Sequence, residues 1–123
     1  MGFSFDKLEA YACARKLVKD IYGLADKFPN IEKYGLADQL RRAVISIPSN
    51  IAEGSGRSSV KEKIHFIEIA YGSLMEVYCQ LQLSVDLSYV DIEEFEVIAE
   101  KIEVVAKLLK GLRYSFKKQL LTS

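Results

Sequence analysis

Apolar residues at Val60, Ile64, Ile67, Tyr71, Leu74, Tyr78, Leu81 and Val85 alternate spacings of four and three without a break, as one face of a long helix requires. Ser59, followed three residues later by Glu62, marks the start of that helix as a capping box. Gly54 and Gly56 just before it are expected to stop the preceding helix. A second seam runs through Phe95, Ile98, Ile102, Val105, Leu109, Leu112 and Phe116, behind Asp91 as N-cap and Glu94 three residues on. The first helix is predicted from about Asp6 to Lys27, with Ala14, Val18, Ile21 and Ala25 inward, and stops before Pro29. No segment alternates apolar and polar residues as a strand does.

The remaining seam is the unusual one. Leu36, Leu40, Val44, Ile47 and Ile51 keep helical spacing straight across Pro48, although a proline inside a helix loses a hydrogen bond and crowds the carbonyl four residues back. The pattern predicts one helix kinked at Pro48 rather than two helices. Ser49, Asn50 and Glu53 lie beside it, where a polar side chain can serve the freed carbonyl or a neighbouring subunit. Four helices with short connections make an all-α, antiparallel up-down-up-down four-helix bundle, one domain over residues 1–123. Helices one and three then run parallel, which sets Cys13 and Cys79 far apart. They are expected to remain unpaired and buried as packing residues.

Composition narrows the function. Half the residues are hydrophobic, enough for one core, yet no run approaches the ~18 apolar residues of a membrane span. Met1-Gly2-Phe3-Ser4-Phe5-Asp6 lacks the build of a signal peptide, so a cytoplasmic protein with no membrane partner is expected. Seventeen basic and seventeen acidic residues cancel, which argues against indiscriminate polyanion binding. The bundle topology nevertheless sorts the charge. One end collects Arg57, Lys61, Lys63, Lys107, Lys110, Arg113, Lys117 and Lys118. The other holds Asp20, Asp26, Glu32, Asp38, Asp86, Asp91, Glu93, Glu94 and Glu96, diluted by Arg41 and Arg42. Helix-dipole complementarity accounts for such an order as well as a binding surface does.

Catalytic chemistry finds little support. Glu62-Lys63-Ile64-His65 has the Glu-x-x-His spacing of di-iron bundles, but His65 is the sole histidine, so the second copy such a site needs is missing. The serines at 46, 49, 55, 58 and 59 lack a Gly-x-Ser-x-Gly elbow, and Gly54-Ser55-Gly56-Arg57 is too short for a phosphate-binding loop. We therefore expect no enzyme, no catalytic residue, no metal and no cofactor. Arg41 and Arg42 point about 100° apart on a helix, so at least one reaches solvent or a partner. Asp38, one turn back, offers an ion pair, and phosphate is the other candidate partner. Seven tyrosines exceed what one narrow core hides, which points to self-association.

The motif Arg41-Arg42-Ala43-Val44-Ile45-Ser46-Ile47-Pro48-Ser49-Asn50-Ile51-Ala52-Glu53-Gly54 is long and specific. With Tyr34-Gly35-Leu36 before it and Phe66-Ile67-Glu68-Ile69-Ala70-Tyr71-Gly72-Ser73 after it, the chain resembles the bacterial 23S rRNA intervening-sequence protein family from about Tyr11 to Leu112. That family includes the accessory proteins of diversity-generating retroelements. The resemblance implies a ring-like homopentamer. It also implies a non-enzymatic binding module for structured RNA or for an RNA-processing protein; in that role the basic end read above, chiefly Arg57, Lys61 and Lys63 with Arg41 and Arg42, is expected to contact phosphates. The alternative is a structural scaffold that acts through protein contacts alone. The retroelement proteins are basic and this chain is neutral.

Overall fold

The computed structural model describes residues 2–122, so Met1 of the N-terminal stretch read above lies outside the described residues. Four helices form, α1 (Glu9–Ala25), α2 (Leu36–Ser55), α3 (Val60–Asp86) and α4 (Ile92–Thr122), with short 3-10 turns at Ser4–Lys7 and Asn30–Glu32. No strand occurs among the described residues. α1 and α3 each pack against both α2 and α4, while the diagonal pairs do not meet. This is the antiparallel bundle that the periodicity predicts.

α1 starts later than expected, because Leu8 is extended (φ −74°, ψ 126°) and separates the 3-10 turn from the helix. Its buried stripe is Ala10, Ala14, Leu17, Ile21, Leu24 and Ala25. Val18 was expected inward but is half-buried, since the helix turns Leu17 and Leu24 to the core instead and Val18 faces the α1/α2 groove with Ile45 and Pro48.

α2 runs unbroken through Pro48, and Val44 and Ile47 before it and Ile51 after it are all buried, so both arms pack in the core. Each fully buried side chain of this size contributes about 1.5–3 kcal/mol. That burial outweighs the one hydrogen bond that Pro48 cannot donate to Val44. Asn50 Nδ2 serves the carbonyl of Ser46 at 2.7 Å rather than that of Val44. It also reaches Ser46 Oγ at 2.9 Å, which hydrogen-bonds Ser73 Oγ at 2.8 Å and ties α2 to α3. Gly54 lies within the helix instead of stopping it. A Cβ there would stand 2.8 Å from the Phe66 Cβ, so glycine is what lets α2 and α3 approach. Gly56 ends the helix at φ −87°, which any residue adopts.

α3 begins as predicted, with the Glu62 N–H donating to Ser59 Oγ at 3.1 Å. Its buried face is broader than the apolar seam, because Ala70, Ser73, Val77, Gln80 and Ser84 are buried too while Tyr71, Tyr78 and Val85 flank it half-buried. Small and amide side chains fit the tight contact with α2, and Ser84 Oγ satisfies itself on the Gln80 carbonyl at 2.8 Å. α3 ends with Ser88 in the left-handed region (φ 64°), its N–H donating to the Val85 carbonyl and that of Tyr89 to the Ser84 carbonyl. That is a Schellman close without its usual glycine. The Glu94 N–H then donates to Asp91 Oδ1 at 2.8 Å and opens α4. Both cysteines are free; Cys13 is half-buried and packs against the core, whereas Cys79 is exposed, contrary to the packing role expected of it. Cys79 lies on the outer face of α3, off the apolar seam.

Candidate nucleic-acid interface

The end of α2, the first turns of α3 and the last turns of α4 meet at one end of the bundle, and their cations cluster there. Arg57 stacks its guanidinium 4.7 Å from the centroid of Phe66. Carboxylates engage it from both sides, with Glu53 at 3.6 Å and Glu62 at 4.0 Å. Lys63 lies 5.8 Å from the Phe116 centroid, Lys110 5.5 Å from Tyr71 and Lys118 5.4 Å from Tyr114. Arg113 places Nε and Nη2 on the same oxygen of Glu68, at 2.9 and 2.8 Å. Lys61, Lys63, Lys107, Lys110, Lys117 and Lys118 make no ion pair among the described residues. Six ammonium groups are thus free to meet an anion, and aromatic rings lie beside three of them.

At the opposite end four of the acids hold ion pairs. Lys101 pairs with Asp20 at 2.9 Å, Lys27 with Glu94 at 3.4 Å, Arg41 with Asp26 at 3.3 Å and Arg42 with Asp38 at 3.0 Å. The Arg42–Asp38 pair was legible as one helical turn. The Arg41–Asp26 pair joins two helices and was not. Arg41 also lies 5.8 Å over Tyr22, and its side chain is 24% exposed against 80% for Arg42. The five residues singled out in the sequence therefore divide. Arg57, Lys61 and Lys63 share the basic end, whereas Arg41 and Arg42 stand on α2 about 23 Å away, at 1.5 Å per residue. Phosphate at the second pair would have to displace Asp26 and Asp38.

Sequence reasoning missed the aromatic partners. Lys110 and Arg113 reach Tyr71 and Glu68 across the α3/α4 boundary, a contact that no local spacing announces. None of the tyrosines is buried, and Tyr34 and Tyr114 are largely exposed. His65 is exposed and stands edge-on to Phe66, while Glu62 is taken up by Ser59 and Arg57. No group of three His, Cys, Asp or Glu residues able to hold a metal occurs among the described residues. Among the described residues, no helix is long and apolar enough to cross a membrane.

A crystal structure of a protein of unknown function from the S23 ribosomal protein family of Bacteroides thetaiotaomicron shares the fold. The TM-score is 0.79 at 22% identity, over 85% of this chain and 97% of that one. No curated protein matches the chain. The model of the 23S rRNA-intervening sequence protein family matches residues 6–111, which take in all of α1, α2 and α3 and most of α4, and the chain belongs to that family.

Proposed function

We propose that the protein is a non-enzymatic, homo-oligomeric binding module, acting in the cytoplasm on structured RNA or on a protein that processes it. The observation that carries this reading is the set of six lysines left without carboxylate partners at one end of a neutral chain. Non-specific attraction to RNA scales with the phosphates neutralised, and each contact adds about −0.7 to the slope of log affinity against log salt for single strands. A ring of subunits, five by family resemblance, multiplies a modest patch into a steep slope.

Assembly has its own support. Ile69, Met75 and Leu83 on the outer face of α3, and Val97 and Val104 on that of α4, stay exposed in the single chain. Gly72 and Gly111 lie on the same two faces with no atom within 4 Å of where a Cβ would stand.

Changing Arg57, Lys61 and Lys63 together to Gln is expected to flatten the salt slope of RNA binding, with helicity and oligomer size unchanged. If the unmodified protein binds no RNA at low salt, the scaffold reading replaces this one. The zero net charge and the exposed apolar faces favour that alternative, in which the oligomer surface holds another protein and no nucleic acid.

A further inference from the structure

Between α3 and α4 at the basic end lies a half-open groove of about 260 Å³. Ile67 and Leu109, both buried, form its floor with Tyr71, and Glu68, Lys110 and Arg113 form its rim. We infer that this groove holds one unpaired nucleobase, so that RNA crosses this part of the bundle as a single strand. The inference rests on the RNA-binding reading above and specifies what that site reads.

Three features of the groove agree on this occupant. A base is flat and apolar on its faces, and it gains by leaving water for an apolar floor beside an aromatic ring. Its phosphates must stay solvated or meet cations. Lys110 and Arg113 stand one helical turn apart on the rim, and Lys110 has no carboxylate to give up. Its ammonium rests against the Tyr71 ring, and its flexible stem lets it turn to a phosphate when a base takes the ring. Glu68 gives Arg113 only its Oε2, leaving Oε1 as an acceptor for an exocyclic amino group such as cytosine N4. A duplex cannot seat a single base in so small a groove, because its bases stay stacked and paired and its amino edges lie in a deep, narrow major groove.

The test compares three labelled probes by fluorescence anisotropy on the unmodified protein: a short oligocytidine, an abasic strand of equal length, and a duplex of that length. Oligocytidine is expected to bind about tenfold tighter than the abasic strand, the scale of one base stacked on an aromatic ring. Tyr71→Leu, which keeps apolar volume in the helix, is expected to remove that preference and leave the salt slope in place. Equal affinity for base-bearing and abasic strands, with a steep salt slope, overturns the pocket and leaves the RNA reading standing. Duplex binding as tight as oligocytidine does the same. No binding of any probe at low salt overturns both.

Discussion

The Tyr89 hydroxyl donates to Glu32 Oε2 at 2.9 Å while the other carboxylate oxygen, Oε1, accepts the Leu36 N–H at 3.0 Å. One side chain thus caps the start of α2 and holds the turn between α3 and α4, at the acidic end of the bundle. Phe28 packs 5.2 Å from the Tyr89 ring and closes the same corner. The hydrogen bond to Glu32, then desolvation and the carboxylate's charge, raise the Tyr89 pKa. Each of these favours the neutral phenol.

Tyr89→Phe is expected to lower stability at neutral pH, because the hydrogen bond to Glu32 is lost. The pH dependence follows from the sign of the shift. A group whose folded pKa is raised contributes fully below its unfolded value, about 10 for tyrosine, and loses that contribution as pH rises through the folded value. The melting temperatures of parent and variant should therefore keep a constant gap from pH 7 to 9 and converge above it. A gap that widens in alkali would refute the assignment.

Ser88 gives a prediction of opposite sign. Its left-handed backbone (φ 64°) costs a residue with a Cβ about 1–2 kcal/mol relative to glycine, and the Schellman hydrogen bonds around it need no side chain. Ser88→Gly is expected to raise stability, by about 1 kcal/mol once the extra chain freedom of glycine is deducted. Chemical denaturation of the two proteins measures this, and a destabilised variant would show that the serine hydroxyl has a role.

The helices were legible because their seams bury leucine, isoleucine and valine at spacings that only a helix satisfies, and because Ser59 and Asp91 announce two starts. Less visible was the polar half of the α2/α3 contact, where Ser73 and Ser84 are small enough to be buried and Gln80 is buried with its Nε2 donating to Gln39 Oε1 at 3.4 Å. Gly54 shows the same limit. Its sequence context suggests a helix stop, and only the neighbouring Phe66 reveals a packing role. The basic end was readable from topology, but the Lys110–Tyr71 and Arg113–Glu68 contacts that shape its groove depend on how far α4 slides along α3. Hydrophobic period does not set that register.

Gly54→Ala tests the close approach directly. The new methyl must displace Phe66 or part the helices, and overpacking of this kind costs about 1–3 kcal/mol. Thermal melts that leave the variant equal to the parent would mean that the α2/α3 contact relaxes freely.

Pro48→Ala restores an N–H for the Val44 carbonyl, so the far-ultraviolet spectrum should keep its helicity and the melting temperature should not fall. Proline inside a helix is expected to bend it, and removing Pro48 lets that bend relax, which shifts the outer faces of the two arms of α2 relative to each other. Light scattering is expected to show weaker assembly at equal protein concentration. A variant that melts earlier while assembling normally would refute a role of the bend in assembly.

Gly72 and Gly111 decide the assembly question by the sign of one measurement. Within a single chain both lie on open helix surface, where Gly→Ala should stabilise by about 1 kcal/mol through propensity alone. If instead another subunit's helix packs against these positions, the added methyl enters a tight contact and the same change weakens the oligomer. Gly111→Ala and Gly72→Ala are therefore expected to lower the melting temperature at concentrations where the parent is assembled and to shift light scattering toward the 13.9 kDa chain. Two variants that melt higher than the parent, with the mass unchanged, would place the subunit contact elsewhere on the bundle.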